Sequence, residues 1–258
     1  MDWGLDSLGE DLVLLSISPA DGRIATAQKI GCGLMGSELV RLAAAGRITI
    51  ESNRVVVQGR APCGDAELDV ALDSLADARR EVRPKTWVGH PRRGICDAYL
   101  ARLTAAGAVR AEQGTRLGIF PVTRWRIADE ARVTGARARL DAIALSGETV
   151  NSAQAAYAGL AHAVGLGALL YPGWGNRQVR ARLERIAKGE WAAAAVTSAT
   201  AFDAAAATMA ATAGATQAAV QAANQAAIQA AVDAATSAAV DAAHHAATAG
   251  GAGGTGHH

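Results

Sequence analysis

Cysteine is scarce in this chain of 258 residues, which contains only Cys32, Cys63 and Cys96. The three are far apart in sequence, form no C-x-x-C pair and have no histidine at ligand spacing. An odd number of widely spaced cysteines argues against a disulfide framework and against a zinc site, and it favours a reducing compartment. We therefore expect a cytoplasmic protein without a bound metal.

The sequence also shows no signal of a secretory leader or of a membrane-spanning helix. The N-terminus has no basic segment followed by an apolar one, which argues against a signal peptide. The longest apolar run, residues 160–174, is interrupted by His162, three glycines and Pro172, and it is shorter than the ~20 residues that a spanning helix needs. We expect a soluble protein that is still able to touch a membrane from outside.

Catalytic motifs are missing as well. The sequence has no G-x-S-x-G, P-loop, G-x-G-x-x-G or H-E-x-x-H pattern, and Gly31-Cys32-Gly33 lacks the third glycine and the preceding strand of a dinucleotide site. His162 lies on an apolar helical face, where a lone histidine is typical of a core residue. We expect a binding protein with no catalytic residues and no cofactor, not an enzyme.

One pattern is present twice: an amphipathic helix that runs into a glycine and then into a short β-hairpin. The copies lie at residues 38–50 and 99–109. A shift of 61 positions places Arg41, Leu42, Gly46 and Ile48 on Arg102, Leu103, Gly107 and Val109. A glycine suits the left-handed residue that ends a helix, and the apolar period changes from helical to alternating after it. The chain is predicted to be mainly α, a helical bundle with two short β-hairpins in winged-helix-like units.

Positive charge is concentrated in the middle of the chain. The formal net charge is only +1, yet residues 79–139 hold 14 Lys or Arg against 5 Asp or Glu. Such a segment suits a polyanion, either phosphate headgroups or nucleic acid. The alternative is that these arginines are simply solvated on helix faces.

The composition divides the chain into a domain at residues 1–191, an Ala/Gln-rich tail at 192–249 and a Gly-rich end at 250–258. Alanine has the highest helix propensity, so the tail is predicted to be helical. Its four-residue repeat drifts by about 40° per repeat around a helix, which leaves no fixed apolar stripe for a coiled coil. We expect a low-complexity appendage, or alternatively a helix that packs on a partner.

A short helix is predicted between the two units. Pro62 and Gly64 indicate a turn, and Asp65 is placed as the N-cap. The apolar positions 68, 71, 72 and 75 then fall on one helical face.

These segments together resemble the Golgi phosphoprotein 3 family, whose bacterial relatives share the same domain. The resemblance runs from about Leu12 to Trp191. It is carried by the order and spacing of Gly33-Leu34-Met35-Gly36, Ala45-Gly46-Arg47-Ile48, Ala61-Pro62-Cys63-Gly64-Asp65, Ala106-Gly107-Ala108-Val109 and Leu160-Ala161-His162-Ala163.

The resemblance implies a mostly helical fold and peripheral binding to membranes through phosphatidylinositol 4-phosphate. In family members of the Golgi type a tryptophan and three arginines line the headgroup pocket. Here Thr26 stands at the tryptophan position, and Met35, Arg93 and Cys96 stand at the arginine positions. Arg92 adjoins Arg93 and is a candidate to compensate for the missing guanidiniums, or alternatively it is solvated at the start of a helix.

The second hairpin matches the family's hydrophobic hairpin, which is associated with membrane insertion and self-association. Its apolar residues here are Leu117, Ile119 and Phe120. The alternative is that these side chains close the protein's own core.

Three functions remain open from the sequence. The first is a peripheral adaptor that recognises anionic lipid headgroups. The second is a winged-helix nucleic-acid binder, which is less favoured because the two predicted recognition helices hold few base-reading residues. The third is a protein-binding scaffold that forms homo-oligomers.

Overall fold

A computed structural model describes residues 5–25, 27–51, 54–116, 120–188 and 228–242. Within these ranges the chain is mainly α-helical, with two separate two-stranded antiparallel sheets. The strands are β1 (Ile48–Glu51), β2 (Arg54–Val57), β3 (Val109–Arg116) and β4 (Phe120–Ile127). The helices are α1 (Leu8–Ser16), α2 (Ala27–Ala44), α3 (Ala66–Ala76), α4 (Pro84–Gly89), α5 (Ile95–Ala105), α6 (Glu130–Leu145), α7 (Ser152–Ala163), α8 (Leu166–Leu170), α9 (Arg177–Ala187) and a C-terminal helix over residues 228–242.

Helix α2 is the axis of the bundle. Helices α1, α3, α4, α5 and α7 all pack against it, and both its apolar Leu34 and its polar Ser37 are fully buried. Gly36 allows the neighbouring helices to come close, because a Cβ there would lie 2.8 Å from Leu160 Cδ2 of α7. A helix that is buried on all sides belongs to the interior of the domain.

Both predicted helix-and-hairpin units are present, one formed by α2, β1 and β2 and the other by α5, β3 and β4. Gly46 and Gly107 end the two helices with φ angles of 66° and 70°, the left-handed region that glycine enters without a steric penalty. Ile48 and Val109 begin the two hairpins and are fully buried. The prediction of a mainly α-helical bundle with two short hairpins is confirmed.

Asp65 joins the two units. Its Oδ1 accepts the backbone N–H groups of Glu67 and Leu68 at 3.1 and 3.3 Å and so caps α3, as the sequence predicts. Its Oδ2 accepts from Arg41 at 2.7 Å and from Arg102 at 2.6 Å, and these two arginines occupy equivalent positions in the repeat. Burial by itself raises the pKa of Asp65, but the hydrogen bonds and charges of the two guanidiniums hold it at about 2.

Further buried carboxylates in α1 and α2 bind arginines of the basic middle segment. The pairs are Glu10 with Arg102 and Arg132, Asp11 with Arg139, and Glu38 with Arg92. The N–O distance is 2.6 Å in the pairs formed by Arg92, Arg102 and Arg139. Four of the 14 basic residues of this segment are therefore paired inside the domain with acidic residues that come earlier in the chain.

The C-terminal helix packs against the domain. A Cβ at Gly159 of α7 would lie 2.5 Å from Val232 Cγ1, and one at Gly36 would lie 3.3 Å from the Cβ of Ala235. The amide of Gln229 donates to the carbonyl of Ala187 at 3.3 Å. The described part of the Ala/Gln-rich tail is thus helical, and small residues on both sides let it approach α2 and α7 closely.

The charge of Asp65 is expected to contribute to stability in a pH-dependent manner. Because its folded pKa of about 2 lies below the ordinary value of 3.8, the contribution is present above pH 4 and is lost as the pH falls towards 2. Asp65→Asn, which keeps a capping side chain, should lower the free energy of unfolding at neutral pH by about 2 kcal/mol or more. The difference in free energy of unfolding between Asp65→Asn and wild type should become smaller at acidic pH.

Urea unfolding as a function of pH measures this difference. Asp77→Asn, at the other end of α3, is the matched control, because the pair of Asp77 with Arg60 is exposed and should contribute less than about 1 kcal/mol. If the difference in free energy of unfolding between Asp65→Asn and wild type does not change with pH, the lowered pKa of Asp65 is contradicted.

Candidate functional site

The connection between α4 and α5, residues 90–94, separates two open clefts. The α2–α4 cleft has a volume of about 490 Å³, and Met35, Trp87, His90 and Arg92 are among its lining residues. The tail cleft has a volume of about 470 Å³ and lies between this connection and the C-terminal helix, with Cys32, His90 and Asp241 in its wall. Both clefts adjoin residues 90–94, the segment that holds the predicted headgroup residues Arg92 and Arg93.

The α2–α4 cleft combines apolar side chains with arginines. Met35 and Trp87 supply apolar surface, and Arg79 and Arg80 line one wall. Glu81 also lies in its wall and is paired with Arg54. The Nδ1 atom of His90 lies 2.8 Å from the carbonyl oxygen of Thr86. Since a carbonyl only accepts, Nδ1 carries the proton and Nε2 is left for a ligand. The indole N–H of Trp87 is buried and has no hydrogen-bond partner among the described residues.

The guanidinium of Arg92 is bound by carboxylates of the domain itself. Its guanidinium donates to both carboxylate oxygens of Glu38, at 2.6 and 2.9 Å, and to Glu67 at 2.8 Å. The Glu38 side chain is fully buried. Burial raises the pKa of Glu38 to about 7, while the bidentate Arg92 opposes the shift. Arg92 lines the cleft, but its charge is balanced by the two carboxylates, so it is not a simply solvated arginine.

The other predicted headgroup residues occupy different surroundings. Arg93 is exposed and forms no side-chain hydrogen bond or ion pair with the part of the chain that the structure describes. Met35 is only 1% exposed. Cys96 is half-buried near Cys32, and burial raises the pKa of its thiol. Thr26 lies outside the described residues. The structure thus brings Met35 and Arg92 to one cleft, while Cys96 lies towards the tail cleft.

Arg79 and Arg80 are the site residues that sequence reasoning missed. Both are exposed, both line the α2–α4 cleft, and neither forms an ion pair within the described ranges. The sequence signal was an Arg-Arg pair just before the proline that starts α4. The structure singles out this pair because both arginines line the cleft, whereas Arg92, Arg102, Arg132 and Arg139 pair with buried carboxylates.

The predicted insertion hairpin is described only in part. Leu117 and Ile119 lie outside the described residues. Phe120 is the first residue of β4, and its side chain is likewise outside the description. Membrane insertion through these three residues stays a prediction.

Among the described residues, no group of three or more His, Cys, Asp or Glu side chains could hold a metal ion. Neither does any described helix combine the length and the apolar character needed to cross a bilayer.

The fold and the cleft define a class of protein: a mainly helical binding domain built on a buried central helix, with unpaired arginines beside an apolar cleft. The family model described as Golgi phosphoprotein 3 matches residues 8–202. The chain therefore belongs to the Golgi phosphoprotein 3 family, whose domain is in general lipid-binding, as the sequence resemblance predicted. The match ends before the C-terminal helix. No curated protein matches the chain significantly.

Arg92 and Arg93 are expected to differ in their effects on stability. Arg92→Met leaves the buried carboxylate of Glu38 without its counter-ion, and it should destabilise the domain by about 3–5 kcal/mol at pH 8. The folded pKa of Glu38 then lies still further above its unfolded value of 4.5, so stability falls as the pH rises. The loss should therefore be smaller at pH 5, where Glu38 is protonated in the folded domain.

Chemical denaturation at both pH values tests this difference. Arg93→Met is the matched control and should change the free energy of unfolding by less than about 0.5 kcal/mol. Adding Glu38→Gln to Arg92→Met should recover part of the loss. Equal losses for Arg92→Met at pH 5 and pH 8 would contradict the role given to Glu38.

Proposed function

We propose that the chain is a peripheral membrane-binding adaptor module that recognises anionic lipid headgroups at the α2–α4 cleft. The main support is the position of Arg79 and Arg80, which stand at the edge of this cleft without an internal counter-ion in the described ranges. Membership of a family whose domain is in general lipid-binding supports the same function.

The chemistry of the cleft suits a phosphate on an amphiphilic molecule. Guanidinium groups donate charge-assisted hydrogen bonds to phosphate oxygens. Met35 and Trp87 line the same cleft and add apolar surface for the rest of an amphiphilic molecule. Exposed arginines act largely through charge, so binding should weaken as salt screens it. A general preference for anionic lipid follows from these groups.

Phosphatidylinositol 4-phosphate is the finer proposal. Arg93 is the one residue at the family's pocket positions that keeps a guanidinium, and it is exposed with no described partner. A phosphomonoester carries close to two negative charges, so a third free arginine near the cleft would favour it over a singly charged headgroup. We assign Arg93 to this preference.

We also infer that the domain binds its ligand without catalysing a reaction. The unpaired charged groups described in the cleft are arginines, and the one carboxylate described in its wall, Glu81, is paired with Arg54. In the described chain, no hydroxyl or thiol in the cleft is hydrogen-bonded to a general base, which nucleophilic catalysis would require.

The nucleic-acid alternative is weakened by the position of α2. This helix would be the recognition helix of the first unit, but it is buried along almost its whole length. A recognition helix must enter a groove with its side chains exposed. As a member of a family whose domain is in general lipid-binding, the module is proposed to act at the cytoplasmic face of a membrane.

Vesicle co-sedimentation tests the proposed function. The full chain should bind vesicles of phosphatidylcholine with phosphatidylserine, and bind vesicles with phosphatidylinositol 4-phosphate more tightly. It should not bind phosphatidylcholine alone. Arg79→Ala with Arg80→Ala should weaken binding to both anionic vesicles by roughly 30-fold, at about 1 kcal/mol for each basic residue.

The control variant is Arg23→Ala with Arg60→Ala, which makes the same change in net charge at arginines that already pair with Asp21 and Asp77. It should retain most of the binding. Arg93→Ala should remove only the preference for phosphatidylinositol 4-phosphate. Equal sedimentation with neutral and anionic vesicles, or none with any vesicle, would refute the proposal.

A further inference from the structure

The connection between α8 and α9 presents a tryptophan to solvent. Trp174 is 87% exposed, more than any other large apolar side chain in the described residues. It lies in a single 3-10 turn, Trp174–Asn176. Leu169, at the end of α8, is also exposed, at 42%. Large apolar side chains that stand in water on a connection commonly mark an interaction surface.

The backbone on both sides of Trp174 is fixed by hydrogen bonds. Arg180 donates to the carbonyl oxygens of Tyr171 and, at 2.8 Å, of Gly173. Asn176 donates to the carbonyl oxygen of Pro172 at 2.9 Å. The exposure of the indole ring is therefore built into the loop.

The loop is also anchored to the body of the domain through Tyr171. The Tyr171 hydroxyl donates to Asp141 at 2.6 Å, and its ring lies under the guanidinium of Arg137 at 4.7 Å. The position of Trp174 relative to the helical bundle is thus set by a buried aromatic residue only three positions away.

The surroundings of Trp174 are cationic. The chain has no Asp or Glu between Glu148 and Glu184, a stretch that includes Arg177, Arg180 and Arg182. Arg177 is exposed. The nearby Asp141 is already hydrogen-bonded to Tyr171 and paired with Arg137. An exposed indole three residues before an exposed arginine suits a surface that is apolar inside and anionic at its boundary.

We propose that Trp174 is a membrane anchor that enters the interfacial region of an anionic bilayer while Arg177 meets the headgroups. Tryptophan is enriched at this depth because its ring is apolar and its N–H remains hydrated. A protein partner fits less well: the residues beside Trp174 are Gly173 and Gly175, which offer little of the surrounding contact that shields a protein hot spot from water. This anchor rests on the proposed function. It gives the domain a second contact with the membrane, in addition to the α2–α4 cleft.

Lipid quenching and vesicle affinity, measured on the full chain, test the anchor. Vesicles of phosphatidylserine and acyl-brominated phosphatidylcholine should quench part of the tryptophan emission. The chain has five tryptophans, so the quenching that disappears in Trp174→Phe reports on Trp174, and Trp125→Phe is the matched control. Trp174→Ala should weaken binding to phosphatidylserine vesicles by about tenfold. Val70→Ala, at an exposed apolar residue of α3, should not.

The outcomes separate the anchor from the proposed function. If wild type binds anionic vesicles, but Trp174→Phe is quenched as strongly as wild type and Trp174→Ala binds equally well, the anchor is refuted and the proposed function stands. If wild type binds no vesicle, both fail. If Trp174→Ala keeps vesicle binding but loses self-association, Trp174 serves a protein contact and the anchor is refuted.

Discussion

The carboxylate of Asp65 is the interaction on which the arrangement of the two helix-and-hairpin units depends. One oxygen caps α3, and the other accepts from Arg41 of the first unit and Arg102 of the second. Removing either guanidinium would take away one of the two charge-assisted hydrogen bonds to this part-buried carboxylate and weaken the link between the units. The two copies of the repeat are thus held in one relative position by a residue that lies between them in the sequence.

Pairing with carboxylates of the domain also divides the arginines of the basic segment into two groups, those with an internal partner and those without a described one. Buried carboxylates in α1 and α2 each bind at least one arginine, and these arginines are no longer available to an external anion. Arg79, Arg80 and Arg93 are among the arginines of this segment that have no described ion pair, and they lie near the connection between α4 and α5. The candidate site is therefore defined less by where positive charge is concentrated in the sequence than by which cations the fold leaves unpaired.

The elements of the fold that depend on local patterns could be predicted from the sequence. Gly46 and Gly107 end helices, and Asp65 caps α3, because these signals involve only a few neighbouring residues. The site was less predictable, since its character depends on pairs such as Glu38 with Arg92, which are 54 positions apart. No sequence period indicates such a pair. The position of the C-terminal helix could not be predicted either. A repeat of alanines does not specify which glycines of the domain the helix will pack on.

Nuclear magnetic resonance of the arginine Nε–Hε groups, with and without the soluble headgroup glycerophosphoinositol 4-phosphate, tests the division of the arginines most directly. We expect the signals of Arg79, Arg80 and Arg93 to shift on addition of the headgroup, while those of Arg92 and Arg102 stay unchanged because their carboxylate partners hold them. Shifts at Arg92 and Arg102 without shifts at Arg79 and Arg80 would contradict the account. So would the absence of any shift.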